Sequence, residues 1–445
     1  MSFDSLPAAG CLIAADIDKT LLEQGTADER LRFLRDVGPL LAKAARLGAN
    51  LAFITGNSME ELATRFLPML LDALGQTEET SLIGRCHFFC CSGGIYATID
   101  PTRPDAGINW IEGAGAATRI APRFVDPTYA QSCALEPAEL TRVEALVRAV
   151  ADEYSIRLAD EESALAVDYK LDRVKTGGKL VRPRIERRGA TASDGVFYTA
   201  QVTLKPVLSY RSARDGLDKK GVDPRGDVVQ EIRRRLNAAG LRHLAVTGGG
   251  TTSVDVTLGR VDKEYALWSL IHRLKLGGAT WLGEPVGENT IYFGDEVIPD
   301  GNDYPVTRIP GVLVLAVNSD KGRVPPETEI LIADGLFVGP QATARVLVEF
   351  NQLAEGLMGA SSPIAALREK LWLDRIGEKL RQLKARPGRS DAIRALHAVA
   401  TLAAREDERS QQLVSFLVDQ LDALTRGFAV ESLPEAFGAS RPADD

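Results

Sequence analysis

The sequence predicts an α/β protein: a Rossmann-like, doubly wound parallel sheet, interrupted by an inserted α+β cap domain and followed by a helical C-terminal region. Three observations predict it. Short, continuously apolar runs at residues 11–15 (CLIAA) and 51–54 (LAFI) read as strands buried on both faces, and each is followed by a helical pattern. Runs of the same kind return at residues 290–293 (TIYF), 311–317 (GVLVLAV) and 329–332 (EILI), after a long section of different texture. Beyond about residue 341 the chain carries apolar positions at helical spacing, with no further strand-like run.

The elements follow in order. Residues 27–48 place Leu31, Phe33, Leu34, Val37, Leu40, Leu41 and Ala44 at helical spacing, and Gly48 supplies a stop. The strand at 51–54 ends in Thr55-Gly56-Asn57-Ser58 and leads into a helix running through Leu74, with Gly75 as its stop. Strand, helix, strand, helix with short joins is the doubly wound pattern, whose ligands bind beyond the carboxyl ends of the strands. Asp16 and Thr55 both fall at that edge. The texture changes after Ile99-Asp100, where Pro101, Pro104 and several glycines intervene. Expected domains are therefore residues 1–101 for the first part of the core, 102–257 for the cap, 258–345 for the second part of the core and 346–445 for a helical extension with a disordered tail. Within the cap, residues 196–202 are strand-like and 225–240 helical, while the basic stretch 175–188 (KTGGKLVRPRIERR) lacks interleaved aromatics and reads as a solvated loop. In the extension, Leu367, Leu371, Leu373, Ile376 and Leu380 form a stripe expected to pack on the core or on a second subunit, so a homo-oligomer through these helices is the expectation.

Composition bounds the function. With 445 residues, two or three domains are expected. A formal net charge of -8 gives phosphate backbones no general attraction, so no nucleic-acid partner is expected. The five cysteines, Cys11, Cys86, Cys90, Cys91 and Cys133, sit mostly in apolar runs and read as reduced, structural thiols of a cytoplasmic protein. The run 86–91 (CHFFCC) has no second ligand cluster at zinc spacing and is read as a strand. The N-terminus shows no signal-peptide pattern, and no segment offers a membrane span.

Four short segments carry chemistry. Asp16-Ile17-Asp18-Lys19-Thr20 places two carboxylates one residue apart at a strand end, suited to one attacking phosphorus while the other protonates a leaving oxygen. Thr55 follows a strand, where a hydroxyl and the backbone N–H groups of the next helix start could hold a phosphoryl oxygen. Lys263 opens a helix running to Leu274, and a lysine near several carboxylates would stabilise a transferring phosphoryl group. Asp295 and Asp303, beyond a third strand and joined by a glycine-permitted turn, offer the hard oxygen ligands that magnesium takes. Each segment alone also fits an ordinary turn or surface.

In this chain order the four segments resemble the haloacid dehalogenase superfamily, in the class with an α/β cap inserted between the second and third motifs. Cys91-Ser92-Gly93-Gly94-Ile95-Tyr96 before the cap and Ser253-Val254-Asp255-Val256-Thr257 before the lysine support it. The resemblance covers residues 1–100 and 253–345. It implies Asp16 as the phosphorylated nucleophile, Asp18 as general acid and base, and Thr55 and Lys263 as phosphoryl contacts. It implies Mg2+ held by Asp16, the backbone carbonyl of Asp18, Asp295 and Asp303. Lys19 stands where most members have glycine, and Asn57 where many sugar phosphatases have arginine. The implied activity is hydrolysis of a small phosphorylated metabolite such as a sugar phosphate. The spacing from Gly294 to Asp303 is similar to that of phosphomannomutases, so a phosphosugar mutase stands as the alternative, with a non-catalytic scaffold on the same fold as a third. Substrate-binding candidates are Asn57, and in the cap Lys205, Arg211, Arg214 and the turn 248–252, because a phosphorylated sugar needs cationic and hydroxyl-bearing partners.

Overall fold

The computed structural model describes residues 6–371, except 24–27, 76–79, 100–110, 113–118, 166–183, 206, 208–224, 250–252, 277–279, 282–283, 286, 300, 318–330, 333–337 and 357–361. The chain divides into two compact units, Met1–Ala366 and Leu367–Asp445.

In chain order the strands of the first unit are β1 (Leu12–Ala15), β2 (Asn50–Ile54), β3 (Cys86–Cys90), β4 (Ile95–Thr98), β5 (Ile111–Glu112), β6 (Arg119–Ile120), β7 (Arg184–Thr191), β8 (Phe197–Lys205), β9 (Leu244–Gly249), β10 (Ser253–Leu258), β11 (Thr280–Trp281), β12 (Glu284–Pro285), β13 (Thr290–Gly294), β14 (Leu313–Ala316) and β15 (Leu331–Ile332). The main sheet runs β15-β14-β13-β1-β2-β3-β4. All its pairs are parallel except β3 with β4. β1 is central, paired with β2 on one side and with β13 on the other. Connections therefore leave β1 in opposite directions, which opens a crevice beyond its carboxyl end. The continuously apolar runs are explained by this position: every residue of β1, β3, β13 and β14 is buried.

Two helical runs flank β2. The first is α1 (Glu29–Arg32), a π turn (Phe33–Val37) and α2 (Gly38–Arg46). The second is α3 (Met59–Glu61), a π turn (Leu62–Phe66) and α4 (Leu67–Leu74). Ser58 starts the second with a capping box: its hydroxyl accepts from Glu61 N at 3.2 Å, and its own N–H donates to Glu61 Oε2 at 3.0 Å. Further on come α5 (Thr80–Ile83), α6 (Pro127–Cys133), α7 (Pro137–Leu165), α8 (Arg225–Ala238), α9 (Lys263–Leu274) and α10 (Pro340–Gly356).

α9 buries Ala266, Leu267, Leu270 and Ile271 in one cluster with Leu12, Ala14 and Ala52 of the sheet. Each of its leucines and its isoleucine contributes roughly 1.5–3 kcal/mol of transfer free energy, enough to seat the helix firmly against β1 and β2. The expected domain boundary between residues 345 and 346 falls inside α10. That helix is tied to α2 by Asn351 Nδ2, which donates to Leu40 O at 3.0 Å, and by a Lys43–Glu355 ion pair at 2.9 Å. The stripe residues Leu373, Ile376 and Leu380 lie outside the described residues.

The cap contains an antiparallel sheet in the order β7-β8-β10-β9. Val202, Leu204, Val254 and Val256 on one face pack with Val143 and Val147 of α7 and with Val228, Ile232 and Leu236 of α8. The basic stretch departs from its expected loop. Residues 184–188 lie in β7, and the Arg188 side chain is only 10% exposed. Strand pairing with β8 supplies what single-sequence patterning lacked, since residues 184–188 (RIERR) carry one apolar side chain among four charged ones. Residues 175–183 lie outside the described residues.

Candidate active site

Parallel pairing in register carries three motif segments to one edge. Asp16 is the first residue beyond β1, Thr55 the first beyond β2 and Asp295 the first beyond β13. Backbone bonds continue the sheet by one step there, with Asp16 N donating to Phe293 O and Thr55 N to Phe89 O, both at 2.9 Å. Lys263 enters the same crevice from the first position of α9, whose N-cap is Asp262, accepting from Tyr265 N at 2.9 Å.

Lys263 is 1% exposed, and its ammonium lies 3.1 Å from Asp16 Oδ2 and 2.7 Å from Asp303 Oδ1. Asp303, itself 0% exposed, accepts further from Tyr292 Oη at 2.5 Å on Oδ1 and from Glu296 N at 2.9 Å on Oδ2. Asp16, Asp295 and Asp303 each offer an oxygen within 4.8 Å of the others. Three carboxylates outnumber the buried ammonium of Lys263 and the half-exposed ammonium of Lys19 beside Asp295, which leaves the crevice net negative. Burial raises the Asp16 carboxyl above its ordinary value, and Asp303 and Asp18 add to the rise against the opposing pull of Lys263. Burial likewise raises Asp295, reinforced by Asp303, Asp16 and Glu296. For Lys263 burial works against the charge, but Asp16 and Asp303 outweigh it and hold the ammonium above the usual lysine value.

Asp18 is positioned differently from Asp16. Arg65 Nη1 donates to Asp18 Oδ1 at 2.6 Å, and Asn57 Nδ2 donates to Asp18 Oδ2 at 2.7 Å. Arg65 also pairs with Glu29, which links the two helical runs beside the crevice. Thr55 is buried, and its Oγ1 accepts from Asn57 N at 3.1 Å. Asn57 is thereby engaged with the segments that follow β1 and β2. Lys19 takes φ +58°, the left-handed conformation that favours glycine, and its ammonium lies 3.8 Å from Asp295 Oδ2. Gly339 permits the close passage of this turn, since a Cβ there would meet Lys19 O at 2.6 Å.

Asp16, Lys263, Asp295 and Asp303 thus come together in one cluster, with Thr55, Asn57 and Asp18 on the adjoining loops. Lys205 lies in the cap, 3.0 Å from Glu186. Arg211 and Arg214 lie outside the described residues, as do Gly250, Thr251 and Thr252. Sequence patterning missed Tyr292, Arg65 and Arg188. Tyr292 sits in a strand run that reads as plain core, Arg65 is a lone cation in the apolar run 62–71 of a helix, and Arg188 sits among other charged residues with nothing to single it out. The five cysteines are free and buried, and burial pushes the Cys11 and Cys91 thiols up to about 12.

No family model matches the chain, and no curated protein matches it. Among solved structures it is similar to an N-terminally truncated IMP-nucleotidase of Plasmodium falciparum, at 14% identity and a TM-score of 0.41 over 71% of this chain and 68% of that one. It is similar to a sucrose-phosphatase from Synechocystis sp. PCC6803 in complex with sucrose and phosphate, at 13% identity and a TM-score of 0.38 over 76% of this chain and 97% of that one. A trehalose-6-phosphate phosphatase of Aspergillus fumigatus shares 15% identity at a TM-score of 0.39, over 79% of this chain and 98% of that one. At these values residue roles do not carry over from them. No helix among the described residues is long and apolar enough to cross a membrane.

Proposed function

We propose that the chain is a magnesium-dependent phosphohydrolase of haloacid dehalogenase type, acting on a small phosphorylated metabolite through an aspartyl-phosphate on Asp16. The observation that carries this is Lys263, a cation sealed inside a carboxylate cluster at the topological switch point of the sheet. Burying an ammonium costs several kcal/mol unless it is paired, and a merely structural lysine would reach water instead.

The cluster fits a divalent ion. Its ligands are hard oxygens, and its carboxylates outnumber the ammonium groups beside them. Asp16 and Asp295, with the backbone carbonyl of Asp18, would hold the ion. Asp303 has a donor on each oxygen, so its part is to anchor Lys263 and the turn after β13. A bound magnesium supplies charge neutralisation of the transferring phosphoryl group.

The residues then divide the work. Asp16 attacks phosphorus, the bond from phosphorus to the ester oxygen breaks, and Asp18 gives its proton to the leaving alcohol. Water next attacks the aspartyl-phosphate and returns a proton to Asp18, which releases phosphate and restores Asp16. Arg65 and Asn57 each donate to one oxygen of Asp18 and so orient its carboxyl group toward the crevice. Lys263 and Thr55 face the phosphoryl oxygens.

Hydrolysis of p-nitrophenyl phosphate by the purified chain, with Mg2+ and again with excess chelator, tests the proposal. Turnover that needs the ion supports it, and turnover of equal rate in chelator overturns it.

A further inference from the structure

Two lysines face the carboxylate cluster, and they are held in opposite ways. Lys263 is 1% exposed, with its ammonium 3.1 Å from Asp16 and 2.7 Å from Asp303. The side chain of Lys19 is 46% exposed, and its ammonium stands 3.8 Å from Asp295 Oδ2, too far for a hydrogen bond. The first is locked in place. The second is attached by charge alone, a strongly hydrated group on a flexible stem that can swing into water.

The backbone under Lys19 is the unusual part. Its φ is +58°, and its N–H donates to Leu22 O at 2.8 Å, which fixes the left-handed turn. That conformation is costly for a residue with a Cβ and free for glycine, so glycine is the default there. A side chain kept at such a position points to a use for it. An ordinary half-exposed ion pair stabilises too little to be that use.

The pair is also within reach of small solutes. A cavity of about 590 Å³ is lined by Lys19 and Asp295 together with Leu21, Phe33, Val317 and Val338. Among the three clustered carboxylates Asp295 has the most exposed side chain, 12% against 9% for Asp16 and 0% for Asp303. Lys263 pairs with the other two, and Asp295 pairs with Lys19.

We propose that Lys19 is a built-in competitor for the divalent ion: its ammonium occupies Asp295 in the ion-free site and has to be displaced, which sets the metal affinity below what the carboxylates alone would give. This rests on the magnesium assignment above. A ligand oxygen already engaged by a cation is offered only when that pair opens, and the apparent affinity falls by the open fraction. Lys263 also neutralises charge in the cluster, but it is walled in and stays; Lys19 is free to step aside into the cavity. The consequence is a site that exchanges its ion readily and loads as free Mg2+ rises.

Isothermal titration of the ion-stripped full chain with MgCl2 tests this, in the wild type and in Lys19→Met, Lys19→Gly and Lys19→Arg. Lys19→Met keeps the length of the side chain and removes its charge, and Lys19→Gly removes the charge while suiting the left-handed backbone. Expected Kd for Mg2+ falls by at least about threefold in both, the scale of a half-exposed ion pair, and stays within about twofold of wild type in Lys19→Arg. The difference shrinks between about 0.02 M and about 0.5 M KCl, because competition between charges is screened and relief of backbone strain is not. A fall of less than about threefold in the folded charge-free variants, an equal fall in Lys19→Arg, or a difference indifferent to salt overturns the inference and leaves the magnesium assignment standing. A wild type that takes up no Mg2+ overturns that assignment and this inference with it.

Discussion

Replacing Lys263 by methionine keeps the length of the side chain and removes only its charge, and the structure says what that charge offsets. At an effective dielectric constant of about 20, unit charges at the 3.1 Å and 2.7 Å separations attract by roughly 5–6 kcal/mol each, against a desolvation cost of several kcal/mol. The measurable consequence is the penalty of stranding Asp16 and Asp303, about 3–5 kcal/mol when one partner of a buried pair is removed. Protonation of the stranded Asp16, whose carboxyl is already raised by burial, gives it a way out at low pH. The loss in Lys263→Met is therefore largest near pH 8 and smaller near pH 5.5. Urea denaturation in chelator at both pH values measures it, and added Mg2+ recovers part of the loss at pH 8 by supplying the missing positive charge. Turnover of p-nitrophenyl phosphate falls at least about tenfold, or roughly 1.4 kcal/mol of barrier. A stability loss below about 1 kcal/mol at pH 8 in chelator would refute the reasoning, because exposed ion pairs are worth that little.

Asp16 and Asp295 have carboxyls raised by burial and mutual repulsion, so in the ion-free protein they contribute stability at pH below the unfolded value that is lost as pH rises through their folded values; the Mg2+-induced increase in Tm is accordingly larger at pH 8 than at pH 5.5, and an increment independent of pH would count against the assigned ligands. His87 runs the other way. Burial first and Arg273 second lower its pKa to about 4, so the neutral ring's contribution is lost as pH falls from about 6.5 towards 4, on the order of 3 kcal/mol; His87→Gln flattens that limb of the stability profile, and an unaltered limb contradicts it. Lys19→Gly relieves the left-handed backbone at that position and raises stability by about 0.5–1 kcal/mol in urea denaturation, whereas a loss would show that its contact with Asp295 outweighs the strain.

The sheet was legible because its strands are buried on both faces, and a continuously apolar run bounded by a motif aspartate has few other uses. The edge at which Asp16, Thr55 and Asp295 meet followed from that. Burial of Lys263 was not legible: the pattern of α9 places it at a helix start, where lysines are usually solvated, and only the packing of Ala266, Leu267 and Ile271 against the sheet turns it inward. The engagement of Asp18 by Arg65 and Asn57 depends on contacts across the crevice that no local periodicity encodes. Arg188 was hidden in a charged stretch because β7 contributes an edge strand whose residues 184–188 include a single apolar side chain, Ile185. Lys19 shows the reverse case. A lysine there still adopts the left-handed conformation that glycine favours, with Gly339 opposite leaving room for its carbonyl.

The nucleophile is the center of the account, and Asp16→Asn tests it most directly. The side chain is nearly isosteric, and removing one charge from a cluster whose carboxylates outnumber its ammonium groups leaves the fold intact or firmer in chelator. Purified Asp16→Asn, shown folded by its Tm, is assayed with p-nitrophenyl phosphate and Mg2+ beside the wild type. The account predicts wild-type turnover that requires the ion, and a variant reduced to the uncatalysed background. A folded Asp16→Asn that turns over at or near the wild-type rate would contradict it.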